Sequence, residues 1–368
     1  MLECIRQGQI GGGESHLLSL CENMDRQQFE PVVLSFTDGP MIERLKEMGI
    51  ENNVIYTERP FDISKWGKVK RFLKQQQIDI VHAHGTRANS NILWAARVLG
   101  IPVIYTIHGW SFHQDQHPVV KRLRVFSEKL LTAKSDINIS VSVSNQQSGK
   151  SLIKPFRSVV INNGIDQNKF NPQKEYKNIR EELGIPENKV LVLFIARFTA
   201  HKQPLTLIEA FKKALVQNPQ LHLLMVGDGD QKREAVTLIR QWDLEKQVTL
   251  QPFRHDVPDV LAAADVFVLP SLWEGLPIGL LEAMAMGKAV IASNVDGTSE
   301  IVENNVNGLL VDTVDLAENL CKAIIHLSLD AEKREQFQQK AMETVKEKYN
   351  AKDMTRQIEN IYLQLSKN

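Results

Sequence analysis

Apolar positions along the chain follow two rhythms that take turns. Short unbroken Val/Ile/Leu runs recur as "PVVLSF" (31–36), "IDIVHAH" (78–84), "PVIYTIH" (102–108), "INISVS" (137–142) and "SVVINNG" (158–164), each of strand length. A second series follows: "KVLVLFIA" (189–196), "LHLLMVG" (221–227), "QVTLQPF" (247–253), "VFVLP" (266–270), "AVIAS" (289–293) and "GLLV" (308–311). Helix-length segments such as "GESHLLSLCENM" and "PLTLIEAFKKALVQ" lie between them. Continuous apolar strands joined by helical crossovers predict parallel sheets covered on both faces. The expected fold class is α/β, with two Rossmann-like, doubly wound parallel-sheet domains facing a central cleft. In such sheets ligands bind beyond the carboxyl ends of the strands, so the residues at those ends carry the interest.

The polar stretch "NGIDQNKFNPQKEYKN" (163–178) parts the two series. Domain one is expected at 1–168, completed by a charged C-terminal helix at 350–368, and domain two at 169–349. A chain of 368 residues is long enough for both. Composition changes the picture only at a few points. Lys plus Arg equals Asp plus Glu at 44 each, which argues against a general nucleic-acid binder. The balance hides a mild asymmetry: 20 basic against 15 acidic residues up to 165, and 24 against 29 after it. Cys4, Cys21 and Cys321 have neither disulfide-framework nor metal-ligand spacing. No apolar run approaches the roughly 18 residues of a membrane span, and no signal-peptide core opens the chain. A cytoplasmic protein is expected, at most resting on the inner face of the cell membrane. The opening strand "LECI" is short and runs into an unusual "RQGQI", which leaves open a missing piece before it.

Several strand ends carry chemistry. "GGGES" opens the first helix, where Gly12 and Gly13 would let backbone N–H groups approach an anion; a plain tight turn is the alternative. "TIHGW" sets His108 at the end of a buried strand, poised to present an imidazole or to serve structurally. His82 and His84 end the neighbouring strand, but no third ligand has sensible spacing, so no metal is expected. "ARFTAHK" puts Arg197 and Lys202 just beyond a core strand, a fork and a point charge suited to a diphosphate. "WEGLPIGLLE" brackets a helix start with Glu274 and Glu282. Pro277 fits the first helical position, Gly287 the stop, and Gly275 and Leu276 the positive helix end. The helix separates the two carboxylates, so they should touch different parts of one elongated ligand rather than flank one bond. "VGDGD", with Gly227, and "FRHDV", with Phe253 and Arg254, offer close approach and a partner for a planar base.

Taken in order, these pieces resemble the retaining glycosyltransferases of glycosyltransferase family 4, which have the GT-B fold. The resemblance rests on "GGGES", "HGW", "INNGIDQNKFNP", "ARFTAHK", "VGDGD", "VFVLPSLWEGLPIGLLEAMAMGKAVIAS" and "SEIVENNVNGLLV". It implies a hexose moved from a UDP- or GDP-linked donor to a glycan or lipid-linked glycan acceptor, in polysaccharide or glycolipid synthesis, without a metal or other cofactor. By the same resemblance Glu282 holds the ribose, and Glu274 with the loop N–H groups the donor sugar. Arg197 and Lys202 grip the diphosphate, and His108 faces the sugar. The Gly12–Gly13 turn closes over phosphate or acceptor. Gln203, Pro252 and "VDGTSE" (295–300) depart from the family pattern and bear on donor specificity. A nucleotide-sugar epimerase or a non-catalytic nucleotide-sugar binder on the same fold are the rival readings. Finally, "SKWGKVKRFLKQQQ" (64–77) and "VVKRLRVFSEKLL" (119–131) set Lys and Arg beside helically spaced apolar residues. Each is either a face for anionic lipid or a surface helix with its stripe in the core.

Overall fold

The structure, a computed structural model, describes residues 1–8, 11–113 and 116–366. It divides into two compact units: Met1–Gly164 joined by the chain from Ala351 onward, and Ile165–Asn350. The divide falls at Gly164, inside the polar stretch and a little before residue 168.

In the first unit, seven parallel strands run β1 Leu2–Ile5, β2 Val32–Ser35, β3 Glu51–Val54, β4 Val81–His84, β5 Val103–Ile107, β6 Ile137–Ser140 and β7 Val159–Val160. Their spatial order is β3-β2-β1-β4-β5-β6-β7. The strand β3 escapes the apolar pattern because it is a sheet edge: "ENNV" alternates between exposed and half-buried positions. The helix Ala351–Ser366 lays Met354, Ile358, Ile361 and Tyr362 into a core shared with Ile80 of the sheet's underside and Ile104 and Ile139 of its strands. Burial of each such side chain contributes about 1.5–3 kcal/mol.

The second unit holds β8 Val190–Ile195, β9 Leu221–Val226, β10 Val248–Gln251, β11 Val266–Leu269, β12 Ala289–Ser293 and β13 Leu309–Val311, all parallel. Their order is β10-β9-β8-β11-β12-β13. Val192, Phe194, Leu223, Met225, Val268 and Ile291 fill its core with no exposed surface, as near-continuous apolar strands require. Both sheets share the doubly wound order, in which the winding reverses between two central strands: β1 and β4 in one unit, β8 and β11 in the other. That reversal splays the following loops apart and opens a crevice at the strand ends.

Candidate functional site

In the second unit, the loops after β8 and β11 lie at the reversal. Phe198 is wholly buried, packing edge-on against Phe194, and pins the first loop to the core. That anchor turns its neighbour Arg197 outward, where the guanidinium is exposed and has no ion-pair or hydrogen-bond partner among the described residues. A short turn Ala200–Lys202 then leads through Gln203, at φ +54°, into helix Pro204–Gln217. The second loop runs alongside. Leu272 N–H donates to the His201 carbonyl at 2.8 Å, and the Trp273 ring stacks on His201 at 5.1 Å. Lys202 Nζ binds the Glu274 carboxylate, with their side chains 19% and 11% exposed. The cation expected on a diphosphate and the carboxylate expected on a sugar are therefore partners in this structure.

Pro277 is the cap of helix Ile278–Ala285 rather than the expected first residue; Gly287, at φ +63°, follows its end as anticipated. Gly297, in the "VDGTSE" loop, faces the Gly275 carbonyl so closely that a Cβ there would lie 1.9 Å from its oxygen. The Asp296 carboxyl next to it is raised by burial, against a hydrogen bond from the Glu274 backbone. Gly275 and the buried Leu276 are thus packed against that loop. Glu282 sits in the helix, half-buried, with no partner for its carboxylate among the described residues. Loss of solvation pushes its pKa up to about 7, while the charge of Lys169 pulls the other way.

Of three further expected donor contacts, two are engaged within the protein and one stays open. Gly227 makes room for its own chain: at φ +140°, a Cβ would lie 2.1 Å from the Ala196 carbonyl oxygen. Arg254 is held by Glu182 and Asp256, with contacts of 2.6 Å to each, so its guanidinium is already engaged. Phe253 is 40% exposed and meets His255 edge-on at 4.9 Å, leaving a ring face for a planar group.

The first unit's reversal is built from buried groups instead. Helix Gly12–Asn23 starts beside His108, whose Cδ2 would lie 3.5 Å from a Cβ at Gly13, whereas nothing crowds Gly12. The sequence thus brings Gly13 and His108 together. Behind them runs a chain that pattern reading missed. Glu3 of β1 accepts from His84 Nε2 at 2.6 Å and from the Tyr362 hydroxyl at 2.7 Å. His84 Nδ1 meets His108 Nε2 at 3.0 Å. His82 is occupied at both nitrogens, by Tyr362 at 2.6 Å and Thr106 at 2.7 Å. On the helix, His16 Nδ1 meets Asn163 Oδ1 at 3.0 Å. Burial alone would raise the Glu3 carboxyl, but His82 and His84 more than offset it and hold it well below the usual range. Burial, helped by the neighbouring histidines, lowers His16 to about 3 and His84 to about 4, and takes His108 well below its ordinary value. The signal for this network was the charged Glu3 inside the apolar "LECI" and the His82/His84 alternation, which puts both imidazoles on one sheet face.

The two candidate lipid-facing helices part company. Helix Ile63–Gln75 turns Val69, Phe72 and Leu73 into the core, as an ordinary surface helix does. Helix Pro118–Lys134 buries Leu131 and packs Val125 against the same core, but keeps a second apolar stripe outside. Its buried Glu128 receives Thr86 and Ser111 hydroxyls at 2.6 Å and the Tyr105 hydroxyl at 2.9 Å. Its apolar stripe of Val119, Leu123, Phe126 and Leu130 is left exposed, Leu123 by 65%. No helix of the described residues is long and apolar enough to cross a membrane.

Family models match both halves of the chain: Glycosyltransferase Family 4 at residues 10–169 and Glycosyl transferases group 1 at 175–344. Among similar proteins, an Escherichia coli UDP-Gal:alpha-D-GlcNAc-diphosphoundecaprenol alpha-1,3-galactosyltransferase is 29% identical, over 87% of this chain and 86% of that protein. A Bacillus anthracis N-acetyl-alpha-D-glucosaminyl L-malate synthase is 25% identical, over 86% and 82%. In fold, the chain matches Anabaena HepE in complex with UDP and glucose at a TM-score of 0.86, with 23% identity and 99% of each chain covered.

Proposed function

We propose that this chain, a GT-B fold glycosyltransferase related to the family 4 and group 1 transferases, is a retaining enzyme that moves a hexose from a UDP-sugar to a lipid-linked glycan. Its acceptor would serve cell-surface polysaccharide or glycolipid synthesis, at the cytoplasmic face of the membrane. The observation that carries the reading is Glu282: a desolvated carboxylate with no partner among the described residues is costly unless a ligand supplies donors. The two hydroxyls of a ribose are such donors. Phe253 offers the base a ring face. Arg197, without a partner among the described residues and just beyond β8, and Lys202 would meet the diphosphate, where fixed positive charge stabilises the departing phosphate. Lys202 reaches it by sharing or exchanging its hold on Glu274, and Glu274 then turns an oxygen to a sugar hydroxyl. In the transfer, the bond from the sugar's anomeric carbon to the diphosphate oxygen breaks as the acceptor oxygen bonds to the same face. The acceptor proton passes to the departing phosphate oxygen. No side-chain nucleophile and no metal enter this scheme.

Resemblance to the Escherichia coli galactosyltransferase, whose name includes a diphosphoundecaprenol-linked sugar, supports a polyprenyl-diphosphate acceptor. The outward apolar stripe of helix Pro118–Lys134, rimmed by Arg122, Arg124 and Lys129, supports a seat on anionic lipid, where each basic residue contributes about 1 kcal/mol. The test incubates the protein with UDP-glucose or UDP-galactose, with and without a sugar-diphosphopolyprenol. Acceptor-dependent UDP release with an α-linked product, seen by NMR, is expected. Release of a new nucleotide sugar without acceptor would make it an epimerase, and binding without turnover a sensor.

A further inference from the structure

We propose that His16, His84 and His108 form a binding site for a transition-metal ion of the zinc class, with Glu3 and Asn163 orienting the ligands. Their ring centroids make a nearly equilateral triangle with sides of 4.8, 5.3 and 5.4 Å. One nitrogen from each ring lies within 4.8 Å of the others. Sequence spacing offered no third ligand beside the β4 histidines; the fold supplies two, one from the first helix and one from the end of β5.

The surrounding hydrogen bonds decide which nitrogen each ring can offer. Glu3 takes the Nε2 proton of His84, so a neutral His84 turns its Nδ1 lone pair towards the centre. Asn163 Oδ1 takes the Nδ1 proton of His16 and leaves Nε2 as a lone pair. That Nε2 is buried and has no partner among the described residues, in a side chain only 2% exposed. A buried polar atom left unsatisfied is destabilising, and a cation would satisfy it. His84 Nδ1 and His108 Nε2, 3.0 Å apart, share one proton. On metal binding that proton moves to His108 Nδ1, which has no partner among the described residues, so Nε2 becomes the third ligand and no proton is released overall. Bonds of about 2.0–2.1 Å around a tetrahedral ion place nitrogens a little over 3 Å apart, which asks His16 to move inward by on the order of 1 Å. A carboxylate behind one ligand and an amide oxygen behind another is the usual second support of such sites. Three neutral imidazoles select zinc, copper, nickel or cobalt over magnesium or calcium. His108 keeps part of its surface exposed and gives the ion an entry path. Glu3, His82 and His84 also lie together, but both His82 nitrogens are taken by Tyr362 and Thr106.

This proposal does not rest on the transfer reading, and its test needs no turnover. Untagged full-length protein is titrated with Co2+, followed by visible absorption, and with Zn2+ by calorimetry. One ion per chain is expected, with a tetrahedral cobalt spectrum and a Kd at or below about 10 µM. His16→Gln should weaken binding at least about 100-fold and Glu3→Gln about 10–100-fold. His117→Gln, which changes an exposed histidine of the same unit, should leave it unaltered. Far-UV circular dichroism checks each variant; should Glu3→Gln fail to fold, the wild-type titration and His16→Gln decide. No binding by the wild type at about 100 µM zinc overturns the site. So does wild-type affinity in folded His16→Gln, or a loss of binding in His117→Gln.

Discussion

The two sheets have the same winding and reverse at equivalent strands, yet they place charge at the reversal in opposite ways. In the second unit, Arg197, Lys202 and Glu274 stand on loops beyond β8 and β11, and the Lys202–Glu274 pair is loop to loop. In the first, Glu3, His82 and His84 belong to β1 and β4 themselves and are fully buried. Charges on loops keep contact with water and exchange partners at small cost, so a ligand can break their pairing. A carboxylate inside a strand cannot; its partners are fixed by the ladder, and it sets tautomers instead. The same architecture thus provides an exchangeable surface and a fixed scaffold.

The sharpest way to break this contrast is turnover. Glu282→Gln, Glu274→Ala and Lys202→Ala should each lower donor turnover about 100- to 1,000-fold, measured as UDP release. Near-normal rates in any of them would remove that residue from the site. Stability should divide the two units next. Glu3→Ala strands the Tyr362 hydroxyl and a His84 N–H in the core and should cost about 3–5 kcal/mol in urea unfolding. The double change Lys202→Ala with Glu274→Ala should cost no more than about 1 kcal/mol, because removing both partners leaves no unpaired buried charge. Equal costs would erase the distinction.

Glu282 allows a finer test. Its folded pKa of about 7 lies above the unfolded carboxyl value, so the native state binds the proton more tightly. Stability should therefore fall as pH rises through the window between the two, and stay low above it. Glu282→Gln removes this penalty: at pH 8 it should gain about 1–3 kcal/mol over wild type, allowing for the residue's partial exposure, and nothing near pH 4. A flat difference across pH would mean that the recess does not desolvate the carboxyl. The smallest expected effect on folding belongs to the outward stripe: Phe126→Glu should change stability by less than about 0.5 kcal/mol. The same change should reduce cosedimentation with anionic vesicles about tenfold, given the loss of about 1.4 kcal/mol of apolar contact and added repulsion. Lys68, Lys70 and Arg71, on the helix whose stripe lies in the core, should matter less; equal loss from both helices would undo the assignment.

Much of the fold was legible. Runs such as "VLVLFI" and "AVIAS" can only be strands buried on both faces, and Gly287 marks its helix end because φ +63° suits glycine. The polar edge strand β3 was not, since half of it faces water and the apolar signal vanishes. Of the candidate site residues, Arg197, Lys202 and Glu274 stand just past core strands and Glu282 in the helix that follows, which is what singles them out in the sequence. What spacing could not give was pairing across the chain: Lys202 with Glu274, Arg254 with Glu182, His16 with Asn163. Gly227 misled for a related reason. A missing side chain marks a close approach, but not whether a ligand or the protein's own backbone makes it. The helix Pro118–Lys134 was ambiguous because amphipathic spacing does not say which face is inward; the buried Glu128 resolves it.

The final helix has a consequence for how the chain is made. Tyr362 donates to Glu3, 359 positions away, and its neighbours Ile358 and Ile361 close the first core. As synthesis proceeds, the first unit's sheet must wait until the second unit and then the helix Ala351–Ser366 have been made before its hydrophobic underside is sealed. The second unit, by contrast, has all its strands in hand by Val311. A ribosome that stops near residue 350 would release a product whose damage lies at its beginning, with Leu20, Ile80 and Ile104 bared to chaperones and proteases. The helix Ala351–Ser366 thus ties completion of the first unit to synthesis of the second.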